Sequence, residues 1–219
     1  MKFYQSYKEK PGKHICYFEI YDEIFEGIDR FQNLKILEIG VNQGAGLRSL
    51  KNYFPNSEIF GLDIKEECKE HEEERIKVFI GSQVDFSVIE SLFDEKFDII
   101  IDDGSHHNEH VFLTFSMLFS SLSSEKVGLY IVEDVHTSYW PQYGGMFRYE
   151  NSTIENFKNI IDMMHAWCIR DPVYSHNPPY MGAVCPATYF ESWVRFIQFY
   201  ENIIVIKKRK NPATCRNPE

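Results

Sequence analysis

Short apolar runs alternate along the chain with stretches whose apolar residues repeat every three or four positions. The runs at 35–41, 58–64, 76–81, 97–102 and 128–135 are rich in Ile, Leu, Val and Phe and read as strands. The run Ile99-Ile100-Ile101 has no polar alternation, the mark of a strand buried on both faces. Helical spacing appears at 47–54, where Pro55 and Asn56 stop it, and in a short segment ending at 92. It returns at 109–122, with Val111, Phe112, Phe115, Leu118 and Phe119 on one side, and at 153–167. Within residues 1–33, Tyr17, Ile20, Tyr21, Ile24 and Phe25 share one helix face. That helix reads either as packing over the domain edge or, through Lys13, His14 and Tyr17, as closing a ligand site. Two β-rich runs, 193–200 and 203–206, flank the Glu201-Asn202 turn and make a hairpin. The prediction is an α/β fold: a Rossmann-like, mostly parallel seven-stranded sheet with a C-terminal antiparallel β-hairpin. The domain runs over 34–210, after an N-terminal helical segment at 1–33 and before a tail at 211–219.

A chain of 219 residues suits one such domain, and its 18 Phe and 13 Tyr supply a core. A net charge of -10 argues against nucleic acid as a partner. The basic run 207–210 reads as a solvated strand end, and the charged stretch 68–75 as solvated surface. Cys16, Cys68, Cys168, Cys185 and Cys215 lack Cys-x-x-Cys spacing and read as reduced thiols in a cytoplasmic protein. No apolar run approaches the ~18 residues of a membrane span, so no membrane partner is expected. The segment 171–187, with Pro172, Pro178, Pro179 and Pro186, reads as a lid or an oligomer contact.

Candidate chemistry gathers where strands end. The fourth strand runs into Asp102-Asp103-Gly104-Ser105-His106-His107, and the fifth into Glu133-Asp134-Val135-His136. Open α/β sheets bind ligands at the carboxyl ends of their strands. If these two strands are neighbours, four carboxylates meet beside His106, which is costly unless a cation joins them. His106 and His110 have the spacing of a helical zinc pair, but Asp103-Gly104 puts His106 on a strand-to-helix turn. His107 and His110 read as helix-start groups, and His136 as an acceptor contact or a supporting group. The first loop, Glu38-x-Gly40-x-x-x-Gly44-x-Gly46, departs from the dinucleotide fingerprint because Asn42 replaces its second glycine. Asp63 ends the second strand where an acid can bind ribose hydroxyls, of NAD or of another nucleoside. Asp85 follows the third, placed to accept an adenine amino group.

The glycine loop resembles motif I of the class I S-adenosylmethionine-dependent methyltransferases. Glu38-Ile39-Gly40-Val41 with Gly44, the Ile101–His107 segment with His110, and Glu133-Asp134 followed by Thr137-Ser138-Tyr139-Trp140 resemble the metal-dependent sugar O-methyltransferases. These form the mycinamicin and rhamnosyl O-methyltransferase group of antibiotic biosynthesis, and the similarity extends to Phe196, Phe199, Tyr200, Ile203 and Val205. The resemblance implies S-adenosylmethionine contacts at Glu38, Gly40, Gly44, Asp63, Gln83, Asp85 and Asp102. It implies Mg²⁺, or Mn²⁺, on Asp103, Glu133 and Asp134, with His106 as general base. It implies a small-molecule sugar acceptor, nucleotide-linked or polysaccharide sugars included, and a homo-oligomer. A phenol or other small non-sugar or phospho-compound as acceptor, a non-catalytic nucleoside-binding protein and a dinucleotide-dependent oxidoreductase are the rival readings.

Overall fold

The computed structural model describes residues 1–7, 13–165 and 189–211. The proline-rich stretch 171–187, the end of the fifth predicted helix and the tail beyond Asn211 lie outside the described residues. The strands are β1 (Lys35–Ile39), β2 (Glu58–Asp63), β3 (Ile76–Ile80), β4 (Ile99–Asp102), β5 (Leu129–Val132), β6 (Val194–Tyr200) and β7 (Ile203–Lys208). They form a seven-stranded sheet in the order β3-β2-β1-β4-β5-β7-β6. β1 to β5 run parallel, while β7 is antiparallel to both β5 and β6. The strand order reverses between β1 and β4, which opens a crevice at their carboxyl ends.

The two-residue period of the strands divides the core into two layers. Ile36, Ile99, Ile101, Leu129, Ile131, Ile203 and Val205 face one side, with Tyr17, Tyr21 and Phe25 of α1 (Ile15–Phe25) and Leu47 and Leu50 of α2 (Ala45–Tyr53). Leu37, Ile39, Ile100, Tyr130, Val132, Ile204 and Ile206 face the other. There they meet α3 (Phe86–Glu90), α4 (Asn108–Leu118) and α5 (Thr153–His165), with Phe115 at the centre against Phe119, Tyr130 and Phe157. A short helix α6 (Tyr189–Trp193) leads into β6.

Two charged stretches are mostly at the surface, as expected, but each buries one residue. Lys208 is 4 % exposed: its ammonium donates to the carbonyls of Phe119 and Ser120 just past the end of α4 and lies over the Phe119, Tyr189 and Trp193 rings. A cation there satisfies carbonyls that the helix leaves open. Burial pushes it down to about 8. In the 68–75 stretch, Cys68 is fully buried on a 3₁₀ turn (Glu66–His71), with its thiol toward the Asn42 carbonyl. Among the described residues no helix is long and apolar enough to cross a membrane.

Candidate active site

β1, β4 and β5 end side by side, with Asp102 in register with both Ile39 and Val132. Past β1, Gly40 turns with φ +91°, and a Cβ built on it would lie 2.1 Å from the Asp103 carbonyl oxygen. Only glycine lets the two strand ends approach so closely. Gly44, in the left-handed region at φ +71°, starts α2. Asp63, at the end of β2, accepts from the backbone N–H groups of Val41 and Asn42 (2.8 and 3.0 Å) through Oδ2, and from Lys65 through Oδ1. Burial raises its carboxyl, but these backbone donors outweigh it and hold the group below its ordinary value. A cleft of about 530 Å³ opens here, lined by Gly40, Asn42, Asp63, Gln83, Ser105 and His106, with Asp103 and Asp134 at one end. That volume is ordinary for a small-molecule site, ~300–1,000 Å³.

Asp103, His106 and Asp134 bring one potential ligand atom each to within 4.8 Å of one another. His106 sits at φ +57° and Asp134 at φ +54°, conformations uncommon outside glycine and concentrated at functional sites. Its Nε2 is 3.9 Å from Asp103 Oδ1 and 3.6 Å from Asp134 Oδ2. The Thr137 hydroxyl donates to the carbonyls of Asp134 and His106 and so ties the two turns together.

The N-terminal segment meets the same acids. Lys13 Nζ donates to Asp103 Oδ2 (2.7 Å) and Glu133 Oε1 (2.6 Å) and lies 3.7 Å from Glu38 Oε1. The Tyr21 hydroxyl donates to Glu133, and the Tyr17 hydroxyl to Asp134. Burial and the neighbouring Asp103 push Glu133 up, while Lys13 and Tyr21 pull it back. Of the two readings of the N-terminal helix, the contacts of Lys13 and Tyr17 match the one that puts it at the site. His14 is exposed, its ring near those of Tyr17 and His136.

Four of the expected cofactor contacts, Glu38, Gly44, Asp85 and Asp102, are not among the residues lining the cleft. Asp102 shares the parity of Ile100, so its side chain points toward α4 and is 1 % exposed, behind the cleft wall. It accepts from Gln83 Nε2 (3.2 Å), the Tyr130 hydroxyl (3.2 Å) and Gly104 N–H (3.4 Å). Gln83 in turn bonds Thr114 and, through Oε1, the Ser105 N–H at 2.7 Å. Asp102 therefore braces the loop that carries His106. Glu38 has the opposite parity and is buried beneath Gly46, where a Cβ would meet its Oε1 at 2.2 Å. Asp85 is exposed outside the cleft and caps α3, accepting from the Ser87 N–H and hydroxyl.

Asp102 has a measurable consequence. Burial pushes it up to about 7, against the bonds from Gly104, Tyr130 and Gln83. The folded state therefore holds the proton more tightly than the unfolded chain. Its contribution to stability is complete below about pH 4 and is lost as pH rises through about 7, on the order of 4 kcal/mol in all. Asp102→Asn carries no titrating proton. The urea midpoint of the wild type should fall relative to that of Asp102→Asn between pH 4 and 8; parallel curves would reject a raised carboxyl.

A larger cavity, about 640 Å³, lies at the opposite edge near the starts of β1 and β4. Its Lys35 and Lys126 pair with Glu95 and Asp98, and its Lys208 is the capping lysine described above.

No protein-family model matches the chain. It is 32 % identical over 213 residues to the 8-demethyl-8-alpha-L-rhamnosyl tetracenomycin-C 2'-O-methyltransferase of Streptomyces olivaceus, covering 93 % of this chain and 52 % of that protein. It is 33 % identical over 205 residues to the mycinamicin VI 2''-O-methyltransferase of Micromonospora griseorubida, covering 87 % of this chain and 47 % of that one. The solved MycE methyltransferase of the mycinamycin biosynthetic pathway, in complex with Mg, SAH and mycinamycin VI, superposes with a TM-score of 0.79 at 29 % identity. That match covers 96 % of this chain and 53 % of MycE. The chain is a homologue of sugar O-methyltransferases. It spans about half the length of the curated relatives it matches.

In this homologue of the sugar O-methyltransferases, two side chains of the site escaped the sequence reading. Tyr21 was visible only as one position of a helix face, and Tyr130 only as one residue of an apolar run. The usable signal for the first was the interval of four separating Lys13, Tyr17 and Tyr21. Tyr130 gave none, because a buried tyrosine reads as core until its hydroxyl partner is known.

Proposed function

We propose that the chain catalyses S-adenosylmethionine- and Mg²⁺-dependent O-methylation of a sugar hydroxyl on a small-molecule acceptor. The observation that carries this reading is the convergence of Asp103, His106 and Asp134 within 4.8 Å at one end of a cleft walled by the Gly40 turn. The homologues in whose fold this convergence sits are named for that reaction on sugar-bearing natural products.

The residues present fit the groups the reading needs. Carboxylate oxygens with an imidazole and no thiolate suit Mg²⁺ or Mn²⁺ over zinc. Asp103 and Asp134 would hold the ion, with Glu133 as the third carboxylate. For the methyl donor, the Gly40 turn, Asp63 and Gln83 line the cleft. S-adenosylmethionine supplies a methyl group on a sulfonium, and the divalent ion makes a hydroxyl beside it more acidic. His106 would take the proton of the acceptor hydroxyl as that oxygen receives the methyl group. Tyr143, its ring edge-on to His106 at 6.3 Å, and the exposed Trp140 flank the acceptor end and offer apolar faces to a sugar ring. The acidic surface makes nucleic acid a poor partner. The exposed Phe196 and Phe199 of the edge strand β6 support a homo-oligomer.

Calorimetry with S-adenosylhomocysteine is the first test, with Mg²⁺ present and then chelated. Binding in both conditions is expected, since the ion serves the acceptor. Glycosylated acceptors are then screened for a product heavier by one methylene. Absence of binding in both conditions would reject the reading.

A further inference from the structure

Lys13 is the one ammonium, among the described residues, within reach of the carboxylates assigned above to the divalent ion. Its side chain is 9 % exposed, and its Nζ bridges Asp103 Oδ2 and Glu133 Oε1 at hydrogen-bond distance. Two of the three assigned carboxylates are thus already neutralised by a residue of this chain. The same segment holds the third through Tyr17 and grips Glu133 again through Tyr21.

A divalent ion requires the same oxygens at ~2.0–2.1 Å. An ammonium hydrogen-bonded to those oxygens would be left a few ångströms from a doubly charged neighbour, in a buried setting where repulsion is poorly screened. Lysine is the cation suited to leaving: it is a compact charge on a flexible stem, without the fixed fork with which arginine grips a carboxylate. Lys13 also lies before Ile15, the first residue of α1, so its side chain is not part of that helix's packed face. Glu38 is a further buried carboxyl beside Lys13, and its Oε2 has no hydrogen-bond partner in the structure.

We propose that Lys13 is a built-in competitor of the divalent ion: ammonium and metal exchange on Asp103 and Glu133, and the exchange releases the Lys13 side chain from its buried place between them. The inference rests on the metal reading proposed above and adds which group of this chain the metal must displace.

Amine labelling of the intact chain tests it. Reductive methylation is followed by mass spectrometry at Lys13, with surface Lys158 as the internal reference, in chelator and in saturating Mg²⁺ whose binding calorimetry has established. Lys13 should react slowly in chelator and about tenfold faster with Mg²⁺, as a buried group does when a ligand favours its open form. Lys13→Met should bind Mg²⁺ about tenfold more tightly than the wild type, because nothing has to be displaced. If that variant does not fold, the labelling of the wild type decides alone. Mg²⁺ that binds while Lys13 stays protected overturns the competition and leaves the metal reading intact. No Mg²⁺ binding in calorimetry overturns both.

Discussion

His106→Ala is expected to bind S-adenosylhomocysteine and Mg²⁺ like the wild type and to lose about 10²–10⁴ in methyl-transfer rate, the range of a removed general base. The structure separates this side chain from the fold. The loop that bears it is braced from below, by Gln83 on the Ser105 N–H and by Thr137 on the His106 carbonyl, and neither bond involves the imidazole. The ring itself is partly exposed on the cleft, with Nε2 3.6 Å from Asp134 and 3.9 Å from Asp103. These distances leave it free of a direct bond to either acid and able to take a proton from a group placed between them. Product formation followed by mass, beside calorimetry with each ligand, resolves its role. Full activity in the variant would remove His106 from the chemistry. A large drop in Mg²⁺ affinity would make it a metal ligand instead of the base.

Gly40→Ala should have the second large effect, and by another route. Its φ of +91° places an L-residue in the left-handed region, and its Cβ would stand 2.1 Å from the Asp103 carbonyl oxygen. Neither partner can retreat easily. Gly40 N–H donates to Leu62 (2.8 Å), and Asp103 N–H donates to Ile39 (2.9 Å), so both strand ends are fixed in the sheet. The strained backbone and the overpacking together should cost about 2–5 kcal/mol. The Asp103 turn must shift to accommodate the methyl, which should remove measurable S-adenosylhomocysteine binding in the fraction that folds. The urea midpoint and a calorimetric titration measure the two effects. A variant with wild-type values for both would show that the close approach of β1 and β4 is unimportant.

Much of this architecture is local in origin and was legible as such. Apolar runs at 35–41 and 97–102, turn residues and the two-residue gap at Glu201-Asn202 determine where strands begin and end. The acids that terminate β4 and β5 announce a site at the sheet edge before any coordinate is known. The side on which each acid acts was also in principle available, since adjacent strand residues point to opposite faces. Asp102 and Asp103 nevertheless read as one cluster, because the chain continues past the strand into a turn whose geometry the alternation does not cover. Asp103 reaches the cleft and Asp102 does not. Asp85 shows a related ambiguity: a short acid after a strand and before a helix serves equally as a ligand contact or as an N-cap, and here it caps the Ser87 N–H.

What the sequence determined by itself, then, is the order and type of the elements and the chemical character of their ends, because period, turn propensity and strand-end residues are short-range properties. The tertiary structure alone decided the neighbours. The order that sets β1, β4 and β5 side by side brings Lys13 onto Asp103 and Glu133, 90 and 120 residues away. It also hides Asp102 under Tyr130 and gives Glu38 and Glu133 their raised carboxyls. Burial and Coulomb interaction depend on distance in space, which a linear pattern does not carry until the sheet has closed.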